Sequence, residues 1–195
     1  FLAGDRRVYL LKGVSGSGKA EVYLSIIREA LKKGEGVIFL LPEIALTPQM
    51  IDKFKNAFNE NLAILHSKLT PVQRETEWMS IYTEEKNIVL GVRSAIFAPV
   101  KNLKYIIIDE EHESSYKQDS DPRYDARYVA LKRAEIENAK VLMGSATPLV
   151  ESYFYAKNGI FELLELNKRY NENALPKFKL VNMREEGKGE LSETL

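Results

Sequence analysis

Val8-Tyr9-Leu10-Leu11-Lys12-Gly13-Val14-Ser15-Gly16-Ser17-Gly18-Lys19-Ala20 is the stretch that decides the fold. An apolar run of strand length, residues 8–12, leads into a glycine-rich turn closed by a lysine, and the residues beyond switch to helical spacing. Tyr23, Ile26, Ile27, Ala30 and Leu31 fall on one stripe, and Gly34 and Gly36 stop the helix. A strand, a turn spaced G-x-x-x-x-G-K and a helix form the setting in which backbone amides converge on phosphate oxygens. Glycines permit the tight turn, and Lys19 brings an ammonium to the terminal phosphates as a mobile point charge. The expected nucleotide-binding set is therefore Gly13, Val14, Ser15, Gly16, Ser17, Gly18, Lys19 and Ala20. One position departs from the motif: Ala20 stands where Ser or Thr would offer magnesium a hydroxyl. Three readings stay open. Alanine is an engineered substitution, a natural variant with water in the hydroxyl's place, or the mark of a domain that binds nucleotide and hydrolyses it poorly.

Outward from this stretch, short apolar runs alternate with helical patterns. Residues 37–41, 62–65, 88–92, 105–109, 140–144 and 161–166 read as further strands. Thr47 before Pro48, and Thr70 before Pro71, each pair a capping hydroxyl with a proline at the first helical position, so a helix starts at each. Another helix is expected over 125–137 and one more after Pro148. The alternation predicts an α/β fold, a mostly parallel sheet with helices on both faces. Length and a hydrophobic content of 45% fit one well-buried domain. We expect a single unit at 1–166, followed by a polar connector at 167–195.

Composition narrows the function classes. Acidic and basic residues balance at 28 each, so any contact with nucleic acid must come from local clusters. With no cysteine and two histidines, the chain holds neither disulfides nor a thiolate zinc site, and a histidine-built metal site is excluded. The longest apolar runs fall far short of the roughly 20 residues that cross a bilayer, and no secretory signal opens the chain. A soluble, cytoplasmic protein without a membrane partner is expected. The start at Phe1 and the polar end suggest a piece of something longer.

A second constellation supports the first. Tyr105-Ile106-Ile107-Ile108 is a wholly apolar strand that ends in Asp109-Glu110-Glu111-His112. Carboxylates at the carboxyl end of a parallel strand face the crevice where ligands bind. Such a pair divides the labour of triphosphate hydrolysis: Asp109 holds magnesium and Glu110 orients or deprotonates the attacking water. Lys19, Asp109 and Glu110 are thus the catalytic candidates. Behind the acids, Tyr116, Lys117, Gln118, Arg123 and Tyr124 interleave rings and cations. Rings stack on unpaired bases at about 1–3 kcal/mol each while cations meet phosphates; on spacing alone a surface loop packed on the next helix is the alternative.

Together with the phosphate loop, several blocks match one family: Leu41-Pro42-Glu43-Ile44-Ala45-Leu46-Thr47-Pro48-Gln49, Leu65-His66-Ser67, Gly91-Val92-Arg93-Ser94-Ala95, the acidic strand end with Ser114-Ser115-Tyr116-Lys117-Gln118, and Gly144-Ser145-Ala146-Thr147-Pro148. Over nearly its whole length the chain resembles the first helicase lobe of the primosomal protein N′ (PriA) family of superfamily 2 DNA helicases. Departures are modest, at Ala45, Val92 and Asp125. The resemblance implies a P-loop NTPase (RecA-like) lobe of an ATP-dependent 3′ to 5′ DNA helicase that acts in replication restart and primosome assembly. ATP and magnesium would be its cofactors. Single-stranded and forked DNA, primosome proteins and single-strand-binding proteins would be its partners.

By the same resemblance, Pro42, Glu43, Thr47, Arg93 and Ser94 lie on the strand-binding face, with Tyr116, Lys117, Arg123 and Tyr124 sensing DNA from the aromatic loop. His112, Ser145 and Thr147 couple hydrolysis to strand movement, although Ser145 and Thr147 beside Pro148 also suit a plain strand-to-helix cap. The family's second lobe, with its transition-state arginine, and its zinc sites lie outside these residues. The isolated chain is then expected not to unwind DNA. A second function class stays open, a DNA-binding or loading module that kept the fold and lost hydrolysis, with Ala20 as its support.

Overall fold

In the computed structural model, residue 2 and residues 6–168 are described; most of the connector expected at 167–195 lies outside them. In chain order the elements are β1 (Val8–Gly13), α1 (Lys19–Lys32), β2 (Gly36–Leu40), α2 (Pro48–Phe58), β3 (Leu62–Leu65), α3 (Pro71–Tyr82), β4 (Ile88–Gly91), β5 (Leu103–Ile108), β6 (Lys117–Gln118), β7 (Tyr124–Asp125), α4 (Ala126–Glu137), β8 (Lys140–Ser145), α5 (Val150–Lys157) and β9 (Glu162–Leu166). Each strand and helix expected from periodicity is present within a residue or two. The Thr-Pro starts behave as their chemistry requires. Thr47 Oγ1 accepts the Met50 amide at 3.3 Å, while Thr70 and Gln73 form a reciprocal capping box at the head of α3.

Seven strands form one sheet in the order β3-β4-β2-β5-β8-β1-β9, and every pairing in it is parallel. A parallel sheet sandwiched between helices is buried on both faces, which explains strands that read as unbroken apolar runs. Alternate residues serve opposite layers: Leu10, Ile38, Leu40, Ile106 and Ile108 pack with α3, α4 and α5, whereas Tyr9, Leu11, Val37, Phe39, Tyr105 and Ile107 pack with α1 and α2. On the second face the rings of Tyr23, Phe39, Phe54 and Phe58 follow one another at centroid separations of 5.2–5.8 Å and tie both helices to β2. Burying each such side chain contributes about 1.5–3 kcal/mol.

Strand order positions the chemistry. The carboxyl ends of β1 and β5 carry the phosphate loop and the acids, and β8 lies between them. The segment expected as an aromatic loop instead closes into a two-stranded antiparallel ribbon, β6 with β7, which periodicity over so few residues could not reveal.

Candidate functional site

After β1 the chain turns through residues 14–18, with the Ser17 amide donating to Val14 O at 3.0 Å. Gly16 and Gly18 adopt φ of 76° and 92°, a region where a β-carbon is strained. Gly18 opens α1 with no side-chain cap, so the positive end of the helix faces the loop. Gly13 is required for space, since a β-carbon there would lie 2.6 Å from Ser17 Oγ. That hydroxyl is buried and has no hydrogen-bond partner among the described residues, a state that costs about 1–3 kcal/mol until something accepts or donates. Lys19, its side chain only 10% exposed, donates from Nζ to Gly13 O at 2.9 Å and lies 3.6 Å from Glu110 Oε1. An uncapped helix end, an orphaned hydroxyl and an ammonium folded over the loop fit a phosphate group. Ala20 is exposed beside them and offers it no ligand.

Asp109 and Glu110 follow β5, and α1 reaches them across the end of β8. Lys19 and Tyr23, four residues apart, share one face of α1. Lys19 points to Glu110, and Tyr23 donates its hydroxyl to Asp109 Oδ1 at 2.8 Å. Burial raises the Asp109 carboxyl above the ordinary aspartate range; the Tyr23 hydrogen bond opposes that shift and the charge of Glu110 adds to it. Burial, followed by the Asp109 charge, also raises the Tyr23 hydroxyl well above its usual value. Glu110 adopts φ 44°, left-handed for a non-glycine residue; such a conformation costs on the order of 1–3 kcal/mol. It is pinned on both sides, since Glu113 N donates to Glu110 O at 2.9 Å and Glu111 N to Gly144 O at 3.0 Å. Two adjacent carboxylates beside a phosphate seat fit magnesium, which takes one or two acids plus phosphate oxygens. Asp109 is the carboxylate that could hold it, and such an ion would neutralise charge on the phosphates.

Sequence reasoning passed over Glu111, which is fully buried. Its carboxylate accepts the Leu149 amide at 2.7 Å and Ser152 Oγ at 2.9 Å, and its carbonyl accepts Arg127 Nη1 at 2.7 Å. Arg127 is also paired with both oxygens of Asp125 at 2.9 and 2.5 Å, and that hydrogen bonding holds its guanidinium charged. His112 Nδ1 lies 2.7 Å from Ser145 Oγ, which accepts the Thr147 amide at 3.0 Å. His112 and Ser145 are thus brought together, whereas Thr147 is exposed and contributes its backbone. Ser145 organises the turn, and Glu111 anchors the head of α5.

The strand-binding candidates divide. Glu43 and Ser94 are exposed and Arg93 is half-buried; with Ser67, Arg74 and Ser115 they border a cavity of about 230 Å³. Ser67 Oγ donates to Glu43 Oε1. Pro42 is buried, and the Thr47 hydroxyl is committed to the cap of α2. Arg93 Nη1 donates to the Ser115 and Lys117 carbonyls at 3.0 and 2.7 Å, and its guanidinium lies over the Tyr124 ring, so it braces the ribbon. Tyr124 meets Phe97 edge-on at 5.0 Å; Phe97, half exposed, belongs to the same surface and carried no motif signal. Lys117 and Arg123 are exposed. Tyr116 requires a correction. Its ring is fully buried, and its hydroxyl donates to Leu40 O at 3.2 Å and Asp109 O at 2.6 Å. A ring without exposed area has no face for a base, so Tyr116 braces the acidic strand end.

The DEAD/DEAH box helicase family matches residues 2–153. Among curated relatives, the replication restart protein PriA of Bacillus subtilis is 52% identical over 93% of this chain and 23% of its own length, and that of Haemophilus influenzae is 49% identical over 88% and 24%. The chain thus spans about a quarter of the length of those relatives. Among solved structures, RecG bound to a three-way DNA junction superposes with a TM-score of 0.56 at 23% identity, over 84% of this chain and 21% of that one. The last likeness concerns the fold alone: a RecA-like helicase lobe built on a parallel sheet.

Proposed function

This chain belongs to the DEAD/DEAH box helicase family, and from that premise we propose that it is the first, ATP-binding lobe of a replication restart helicase that moves 3′ to 5′ on DNA. In this reading residues 1–166 form the lobe and 167–195 lead towards a second one. The observation that carries it is the convergence of Lys19 and Tyr23, from one face of α1, on Glu110 and Asp109. Phosphates seated on residues 13–20 are met by Lys19, while Glu110 is held where it can orient a water for in-line attack. Magnesium belongs beside Asp109. Zinc belongs to other parts of the full-length protein.

A single DNA strand crosses the carboxyl ends of β2, β4 and β5, over the cavity bordered by Glu43, Ser67, Arg74 and Ser94. Short hydroxyls there, with the guanidiniums of Arg74 and Arg93, grip phosphates without reading bases. Lys117, Arg123 and Tyr124 on the ribbon, with Phe97, meet the strand next. Forked DNA, primosome proteins and single-strand-binding proteins in the cytoplasm are its working partners.

In related motors an arginine from a second lobe supplies orders of magnitude in rate. Residues 1–195 by themselves are therefore expected to bind nucleotide weakly and to show no DNA-stimulated turnover. Measuring ATP hydrolysis with and without single-stranded DNA, for this chain and for the full-length protein, tests both statements. Robust stimulated hydrolysis by the chain alone would refute the absence of turnover, and its absence from the full-length protein would favour a non-hydrolysing loading module, to which Ala20 lends its weight.

A further inference from the structure

We infer that Tyr23 is a positioning residue for magnesium, acting through Asp109, and that it takes over part of the role a hydroxyl at position 20 would fill. The inference rests on the nucleotide-binding reading above and goes beyond the loop motif, in which nothing follows the residue after the lysine.

The first observation is the cost of the arrangement. Tyr23 is 1% exposed, in a cluster of apolar side chains. Phenylalanine would fill that space without burying a hydroxyl, so the phenol is explained only by a partner, and that partner is Asp109 Oδ1 at 2.8 Å. The second observation is independent. Gly144 ends the apolar part of β8, between the strands that carry the loop and the acids. A β-carbon on Gly144 would overlap the Tyr23 hydroxyl. The sheet thus gives up a side chain at the one point where α1 must reach across β8 to touch β5. Two positions, far apart in sequence, are shaped around one hydrogen bond.

Its chemical consequence follows from the geometry of a carboxylate. With Oδ1 tied, rotation about the bond to the carboxyl group is restricted and Oδ2 keeps one direction, which the cation or its water can use without reordering the side chain. Ala20 lies three residues before Tyr23, on the same side of α1, and its methyl makes no polar contact. A hydroxyl at position 20 would ligate the cation directly, whereas Tyr23, one turn later in the helix, acts on the carboxylate that would hold it.

The test uses full-length protein and a fluorescent ribose-modified ATP as the probe, titrated with magnesium chloride. Tyr23→Phe is expected to leave probe affinity in chelator unchanged and to raise the magnesium concentration for half-saturation by roughly tenfold, as loss of a hydrogen bond to a charged group would do. Unchanged half-saturation, with or without a fall in Tm, would overturn the inference and leave Tyr23 a packing residue. Should Tyr23→Phe fold poorly, Gly144→Ala serves in its place, because it expels the hydroxyl and keeps the tyrosine: the same rise supports the inference and an unchanged midpoint overturns it. If the unaltered protein does not bind the probe, the nucleotide reading fails and takes this one with it. Binding with an unmoved magnesium midpoint sinks only the role of Tyr23.

Discussion

The loop at residues 13–20 and the acidic segment at 109–127 face each other across the end of β8, and they treat their polar groups in opposite ways. The loop keeps groups in reserve. Ser17 Oγ is buried without a partner among the described residues, α1 begins without a side-chain cap, and Lys19 is held by one carbonyl and a 3.6 Å ion pair to Glu110. Across the crevice the groups are already bonded within the protein: Tyr116 to Leu40 and Asp109, Arg127 to Asp125 and Glu111, Glu111 to Leu149 and Ser152, His112 to Ser145. On the proposed reading the first would seize a phosphate with the groups it holds back, and the second, bonded throughout, would carry a displacement from DNA to Glu110 as a unit rather than deforming piecemeal.

The sharpest way to break this contrast is to remove one group from each side. Lys19→Ala should lower DNA-stimulated ATP turnover of the full-length protein by about a thousandfold or more, because a preorganised charge on the phosphates is lost. The melting temperature should hold, since Lys19 makes one backbone hydrogen bond and a 3.6 Å ion pair. Glu111→Ala should do the reverse. It strands the Leu149 amide and the Ser152 hydroxyl in the interior, and we expect a loss of about 2–4 kcal/mol in urea unfolding of this chain. Nucleotide binding should survive. Equal damage to stability from both substitutions would remove the distinction between a reserving and a transmitting element.

The same contrast explains what the sequence made legible. The strand, glycine turn and helix at residues 8–32, the Thr-Pro helix starts and the other strands were readable because each depends on neighbours within a few residues. Even the order of the acidic and Ser-Ala-Thr blocks could be followed along the chain. Tyr23 was not readable as a site residue: on the periodic stripe of α1 it looks like any core position, and its purpose appears only when β8 brings Gly144 beneath it. Glu111 was given no role beside Asp109 and Glu110, because its partners Leu149 and Ser152 lie about 40 residues further along the chain. Tyr116 alternates with cations and so resembled a stacking ring, but the Leu40 carbonyl that claims its hydroxyl belongs to a strand 76 residues earlier. Properties set by strand order are invisible to spacing.

Within the second region, Tyr116 and Tyr124 sharpen the comparison on a smaller scale. Tyr124→Ala should weaken single-stranded DNA binding of the full-length protein by about 1–2 kcal/mol, a figure in the range for one stacked base. Tyr116→Phe keeps the buried ring and removes two hydrogen bonds. Binding of the strand, measured by fluorescence anisotropy, should stay constant, while stability falls by about 1 kcal/mol and the stimulation of hydrolysis by DNA is blunted. Weakened DNA binding in Tyr116→Phe would return that residue to the contact surface and contradict its burial.

Ala20→Thr should produce the smallest change, and the reason separates two accounts of this phosphate loop. If the missing hydroxyl had switched the motor off, threonine would raise turnover by orders of magnitude. Here position 20 is exposed and can receive the larger side chain without displacing the core, and Asp109 is already oriented by Tyr23. One added ligand then strengthens a cation that keeps its other oxygens, so the magnesium midpoint should fall by only about three- to fivefold, less than 1 kcal/mol. With Tyr23→Phe in the background the same replacement should matter more, because the hydroxyl would then act at a site where Asp109 has lost its restraint from α1. A double-mutant cycle on the magnesium midpoint measures that difference. Strict additivity would mean that the two positions act independently, and that the loop tolerates alanine for a reason unrelated to Tyr23.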